Sequence, residues 1–341
     1  MIRRVDNPPF LCDYIEDMKI DSSLIKQLAA ACGFDLCGIT RPDPIPEAIQ
    51  RIHRWLDAGY HADMDWLKTS LSRRLDPRSL MDNVRSVIML GLNYYQPNSE
   101  VIPPGKGRVA RYARGRDYHK VLSKLCQELI ARIEDELNRD AVLTNPPRFK
   151  FWVDYGPFME KAYAEKAGLG YVGKHGLLIN KQYGSWFFLA EIVTDLDLKP
   201  DQTWIGEHGR CGTCRRCIDA CPTGAIVSDR VVDANRCLSY WTIETSDDIP
   251  FDIARTMNEN VFGCDICQEV CPHNQHRAKP ANHKEFKVEA GVGEFLDLER
   301  VSNMESDEEF LALTAGTPLT RPKLKGLVRN ARIVVQNRTE E

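Results

Sequence analysis

The sequence predicts an α+β protein in three parts, on three observations. Strand-like and helix-like stretches alternate through residue 198, eight of the twelve cysteines crowd between Cys211 and Cys271, and the chain beyond Pro280 turns polar and ends in a basic run. The implied boundaries are 1–200 for an N-terminal α/β domain, 201–285 for the cysteine module, and 286–341 for a short helical segment with a basic tail. With 45 Lys and Arg against 49 Asp and Glu, a net charge of −4 and 43% hydrophobic residues, the 341-residue chain has ample apolar content for packed cores.

The elements follow in order. Ile20, Leu24, Ile25, Leu28, Ala29 and Cys32 recur at helical spacing behind Asp21-Ser22-Ser23, predicting a helix that stops at Gly33. Residues 34–40 read as a short strand. A loop punctuated by Pro42, Pro44 and Pro46 leads into an amphipathic stretch through Trp55 and Leu56. Residues 86–92 (SVIMLGL) read as a buried strand, 117–137 follow a helical period, Phe151-Trp152-Val153 are strand-like before Asp154, and 185–194 (SWFFLAEIVT) carry the strongest strand signal. Residues 199–209 mix Pro, Gly and charge and mark a boundary. No apolar run reaches the roughly 18 to 20 residues of a membrane span. The N-terminus MIRRVDNPPFLCDYIED has two arginines but no apolar signal core. A cytoplasmic monomer without membrane contact is expected.

In that compartment thiols stay reduced, so the cysteines point to metal rather than to a disulfide framework. Cys211-x2-Cys214-x2-Cys217-x3-Cys221-Pro222 has the spacing of a bacterial two-cluster ferredoxin, whose fourth cysteine serves the other cluster. A second copy runs Val261-x2-Cys264-x2-Cys267-x3-Cys271-Pro272 and lacks its first ligand, which Cys237 can supply. Cys211, Cys214, Cys217 and Cys271 are therefore assigned to one 4Fe-4S cluster, and Cys221, Cys237, Cys264 and Cys267 to a second. Tetrahedral zinc does not explain three-in-a-row spacing ending in Cys-Pro twice. Cys12, Cys32, Cys37 and Cys126 read as buried free thiols.

Gly168-Leu169-Gly170-Tyr171-Val172-Gly173-Lys174-His175 contains G-x-G-x-x-G and G-x-x-x-x-G-K, yet it follows a helix-like run from Pro157 rather than a strand. A triphosphate loop also needs Ser or Thr where His175 stands. Gly168 reads as a helix C-cap, and the stretch as a glycine-rich turn beside some other flat cofactor. The cobalt-ligating pattern Asp-x-His-x-x-Gly is nearly met at Asp117-Tyr118-His119, but Leu122 replaces the glycine, so His119 is not read as a cobalt ligand. Two clusters relay single electrons, and some 200 preceding residues imply a reductase domain that they feed. On spacing alone, Asp154 reads as a helix N-cap ahead of Pro157.

The stretches RYARGRDYHKVL, FWVDYGPFMEKAYAEKAGLGYVGKHGLLIN, GSWFFLAEIVTDLDL, CGTCRRCIDACPTGAI, GCDICQEVCPHN and TPLTRPKLKGLVRNA resemble the epoxyqueuosine reductase family, cobalamin-dependent iron–sulphur enzymes of tRNA modification akin to reductive dehalogenases. The resemblance implies a nitroreductase-like, cobalamin-binding N-terminal domain, base-off cobalamin, two 4Fe-4S clusters, a tRNA substrate carrying epoxyqueuosine, and an external one-electron donor of flavodoxin or ferredoxin type. It makes Asp154 the proton donor, with His119 and Tyr118 in the same pocket. Around the corrin it sets Arg74, Asp154 itself, Gly173, Lys174, Leu178, Asn180, Ser228, Asn235, Cys264 and Asp265. Lys161 follows Glu160 where relatives carry arginine, which keeps a cation there. Some relatives add a C-terminal array of HEAT-like repeats that this chain stops short of, so other surfaces would grip the tRNA.

The implied chemistry is two-electron removal of the epoxide oxygen by cob(I)alamin, through either carbon or oxygen, with Asp154 protonating the leaving oxygen. Asp154 can serve only if burial raises its pKa. A net charge of −4 is unusual for a nucleic-acid binder, and two basic groups answer it: Arg108, Arg111, Arg114 and Arg116, and the tail's Arg321, Lys323, Lys325, Arg329 and Arg332. The rivals are a corrinoid reductase of a small molecule, such as a halogenated organic, and a ferredoxin-type electron-transfer subunit.

Overall fold

The computed structural model describes residues 21–139, 145–203 and 210–339. Cys12 and the N-terminal arginines lie outside them, as do residues 204–209 of the expected boundary.

Helix α1 (Ser22–Ala31) starts where the Asp21 carboxylate accepts the Ser23 N–H at 3.1 Å, and ends before Gly33, whose φ of +102° few other residues adopt. Strand β1 (Leu36–Thr40) follows, then α2 (Pro46–Asp57), which opens on a proline where no N–H is needed. Two short helices, α3 (Trp66–Thr69) and α4 (Leu71–Leu75), lead to the wholly buried β2 (Ser86–Asn93). After β3 (Lys106–Val109) come α5 (Tyr118–Leu137), β4 (Phe149–Trp152), α6 (Glu160–Lys166), the small hairpin β5 (Tyr171–Val172) and β6 (Leu178–Ile179), and β7 (Phe187–Thr194).

The main sheet runs β1-β2-β7-β4 and is antiparallel throughout. Alternation along its strands explains its two covers. Ile88, Leu90, Leu92, Ala190 and Ile192 pack against α1 and α5 through Ile25, Ala29, Leu122 and Leu129. Val87, Met89, Phe187 and Val193 face the other way, onto α6 through Tyr163 and Ala164. That leaves β4, α6 and the start of α5 converging at one end of the sheet.

The three expected parts share a second sheet. Its centre is β3, which pairs in parallel with Asn260–Phe262 of the cysteine module and antiparallel with Phe295–Asp297 beyond it. The tail is a packed helix, Lys323–Thr339, burying Leu327, Val328, Ala331 and Val334 against Val261, Phe262 and Leu298. Among the described residues no helix is long and apolar enough to cross a membrane.

Candidate active site

Asp154 follows β4 in the left-handed region, at φ +62°, which aspartate tolerates better than most residues. It is not a cap: Met159 holds that position on α6 and makes no side-chain cap bond. Its carboxylate instead meets the first turn of α5, where the Tyr118 hydroxyl donates to Oδ2 at 2.5 Å and His119 Nε2 stands 3.7 Å from the same oxygen. Asp117, the α5 N-cap, accepts the His119 N–H and sits 2.8 Å from its Nδ1, so His119 lies between two acids. The Tyr118 ring stacks on Phe188, 4.3 Å between centroids, which fixes the hydroxyl.

The Asp154 side chain is 59% exposed, but into a deep cleft rather than to the outer surface. Burial within the cleft walls pushes its pKa up, yet hydrogen bonds from His119 and Tyr118 outweigh that and hold it below the usual carboxylate range. This corrects the sequence expectation of a raised value: the cluster of donors that positions Asp154 also keeps it ionised. Burial lowers His119, but Asp117 and Asp154 more than compensate and lift it to about 9, so the imidazole is charged at neutral pH. Both of its ring nitrogens thus face carboxylates, Nδ1 toward Asp117 and Nε2 toward Asp154. Leu122, where the cobalt-ligating pattern has its glycine, is a wholly buried core residue.

The cleft measures about 1290 Å³, above the roughly 300 to 1,000 Å³ of ordinary small-molecule pockets. Trp55, Met64, Leu177, Leu178, Phe187 and Ile266 give it long apolar walls. Asp154, Tyr118, His119, Glu160 and Lys161 line it, and so do Cys221, Cys237, Cys264 and Cys267. Cys211, Cys214, Cys217 and Cys271 line a separate cavity of about 40 Å³. The eight cysteines thus fall into the two groups of four assigned from spacing. Val261, where a ninth would stand, is wholly buried in the core beneath the C-terminal helix. His175 borders both cavities; it is buried, its Nδ1 accepts the Leu177 N–H, and its Nε2 has no partner among the described residues.

Of the residues expected around a corrin, Asp154, Leu178, Cys264 and Asp265 line the cleft. Arg74, Gly173, Lys174, Asn180, Ser228 and Asn235 are not brought to it. Arg74 is buried, donating to the Phe158 carbonyl and Ser70 hydroxyl; the Lys174 N–H donates to Cys211 Sγ at 3.4 Å; Asn180 ties Leu169 to the turn at Gln182. Gly173 closes the β5–β6 turn, accepting the Gly176 N–H; Ser228 is exposed, and Asn235 binds the Gly59 carbonyl. The glycine decoy resolves as expected, with Gly168 at φ +79° just past α6.

The arginine run is internal scaffolding rather than an outer basic face. Arg108 pairs with Glu294, Arg111 with Asp265 and Glu269, and Arg114 is wholly buried against Asn98 and the Val109 carbonyl. Arg111 thereby ties the Cys264–Cys267 loop to the segment leading into α5, while Arg116 stays exposed. In the tail, Arg329 donates to the carbonyls of Trp241 and Asp247 and Arg321 pairs with Glu244 at the cleft edge. Sequence reasoning passed over Glu191, a carboxylate in the middle of an apolar strand, although its place in SWFFLAEIVT was the signal.

Fold and site together define a double-cluster iron–sulphur oxidoreductase. Residues 210–274 match the 4Fe-4S double cluster binding domain, and residues 74–154 match the family model described as epoxyqueuosine reductase QueG. The epoxyqueuosine reductase of Leadbetterella byssophila is 40% identical over 93% of this chain and 99% of its own length, and that of Synechocystis 43% over 85% and 96%. Two solved epoxyqueuosine reductases superpose with TM-scores of 0.80. One, with a tRNA-Tyr epoxyqueuosine-modified stem loop, is 27% identical and covers 92% of this chain and 80% of its own. The other, from Bacillus subtilis with an aspartate catalytic loop swung out of its active site, is 26% identical over 92% and 81%. The chain belongs to the epoxyqueuosine reductase family.

Proposed function

We propose that this protein reduces epoxyqueuosine to queuosine in tRNA with a corrinoid held in the cleft and electrons relayed by two 4Fe-4S clusters. The observation that carries the reading is the cleft itself, which joins an acid–phenol–imidazole group and four cysteines within one large, mostly apolar space. Its volume and long apolar lining fit a corrin, and the two groups of four cysteines fit two cubes. N–H groups of Lys174 and Ala225 reach Cys211 and Cys221 sulphurs, the kind of contact that tunes cluster potential.

A bound corrinoid would supply the low-potential two-electron chemistry that opens an epoxide. The remaining work belongs to side chains. Leu177, Leu178 and Phe187 line the cleft with apolar surface, which favours a flat apolar ligand that would displace water from around Asp154. Asp154 delivers the proton to the leaving oxygen. Tyr118 and His119 hold Asp154 in place, and charged His119 is a proton source one contact away. Filling the cleft with an apolar ligand desolvates Asp154 further and moves its pKa toward a working acid. The catalytic aspartate loop of the Bacillus subtilis relative supports giving the role to an aspartate after a strand.

Metal analysis of protein produced with cobalamin available tests the reading. Cobalt equimolar with the chain supports it; iron without cobalt returns the chain to an electron-relay role.

A further inference from the structure

Removing an epoxide oxygen takes two protons as well as two electrons. Both carbon–oxygen bonds break, a carbon–carbon double bond forms, and the balance is epoxide + 2e⁻ + 2H⁺ → alkene + H2O. An external one-electron donor supplies the electrons through the clusters. Asp154 can pass one proton at a time, and it rests as a carboxylate. It must therefore be recharged within a cleft that the substrate covers.

Two further carboxyls lie behind it. Glu160 opens α6 and lines the cleft, and its Oε1 accepts the Asp154 backbone N–H at 2.7 Å. Glu191 lies on β7 opposite Trp152 of β4, on the face that α6 covers. It is wholly buried, and neither of its oxygens has a hydrogen-bond partner among the described residues. A neutral acid is tolerated in such a place, whereas an unpaired carboxylate is strongly disfavoured.

The charged and titratable groups felt here come from every packed element. Arg74 of α4 attracts both carboxylates, but its side-chain hydrogen bonds go to Phe158 and Ser70. Lys161 and Asp154 act on Glu160, and Cys126 of α5 lies within the field of Glu191. Burial first, then the charge of Asp154, lifts Glu160 to about 8; burial with the charges of Glu160 and Asp154 lifts Glu191 well above the carboxylate range. Both keep protons under conditions where Asp154 has lost its own.

We propose that Glu160, backed by Glu191, stores the second proton of the reduction and returns it to Asp154 within the cleft. The inference rests on the functional reading above. Both residues act through Asp154 and are positioning residues.

Infrared spectroscopy of the full chain without cofactor or tRNA reads the store directly, through the carbonyl stretch of protonated carboxylic acids and its shift in D2O. At neutral pH two such contributions are expected. One should titrate away near pH 8 and be missing in Glu160→Gln; the other should persist to higher pH and be missing in Glu191→Gln. No protonated carboxyl at neutral pH overturns the proposal. Glutamine at 160 still accepts the Asp154 N–H, so single turnover by loaded Glu160→Gln should fall ~100-fold and lose the alkaline limb of the wild-type pH profile. An unchanged rate and limb overturn the proposal as well. Should Glu191→Gln not fold, the wild-type band and Glu160→Gln decide alone. Both bands in a chain that leaves epoxyqueuosine untouched remove the functional reading and keep the two buried protons.

Discussion

Tyr118 donates its hydroxyl to Asp154 over 2.5 Å, joining the first turn of α5 to the residue after β4. The bond converts two pieces of chain distant in sequence into one acid site, and it sets the sign of the site's chemistry. Because donors surround Asp154, the resting group is an anion.

Asp154→Asn should fold normally and scarcely turn over. Asparagine tolerates φ +62°, and Asp154 does not cap α6, so thermal unfolding should move little. Losing a general acid costs typically 100-fold to 10,000-fold in rate. Single-turnover kinetics beside a melting curve checks both halves, and near-normal turnover would leave the cleft without an identified acid.

Replacing His119 by glutamine should weaken the fold in a pH-dependent way. The imidazole's pKa is raised from its unfolded value of about 6.5 to about 9 by Asp117 and Asp154. Its stabilisation is thus fully present below about pH 6.5 and is lost as pH rises through about 9. Wild type and variant should differ most in acid solution and converge in alkaline solution. Bound cobalamin should stay base-off in both; a histidine-on spectrum lost in the variant would make His119 a ligand.

On the proposed assignment of each group of four cysteines to its own cube, Cys237→Ala should remove about half the iron, and Cys211→Ala the other half. Cys32→Ala and Cys126→Ala should remove none. Iron assay with electron paramagnetic resonance separates the two clusters. Full iron in Cys237→Ala would exclude that residue from the ligand set.

Arg111→Gln should cost about 3 kcal/mol, the lower end for breaking a buried ion pair, and loosen the Cys264–Cys267 loop. Urea unfolding and iron content measured together should fall together. A stable variant with full iron would mean that Asp265 and Glu269 find other partners.

Some of this architecture is plain in one dimension. The cysteine spacing places the thiolates of the Cys211–Cys221 and Cys264–Cys271 runs by short-range chain geometry, so those seven are plain in the sequence; Cys237 lies outside both runs and enters only as the cysteine left to stand in for the position that Val261 occupies. The buried strands at 86–92 and 185–194 were equally plain from their apolar runs. Their antiparallel order was not, because periodicity reports burial and not pairing. The arginine run looked like a nucleic-acid surface since sequence shows charge but not its partners; Glu294, Asp265 and Glu269 arrive from more than 150 residues away. For the same reason the pKa of Asp154 was expected with the wrong sign: burial could be guessed, but the donors from Tyr118 and His119 could not be weighed. Glu191 was visible as a lone charge in an apolar strand, and its meaning came only with Glu160 beside it.

The central claim is tested most directly on tRNA carrying epoxyqueuosine. Protein loaded with cobalamin and both clusters, given a low-potential one-electron donor, should convert that nucleoside to queuosine, seen as the loss of a single oxygen in the mass spectrum of the digested tRNA. Epoxyqueuosine recovered unchanged, from protein carrying its full complement of cobalt and iron, would contradict the account.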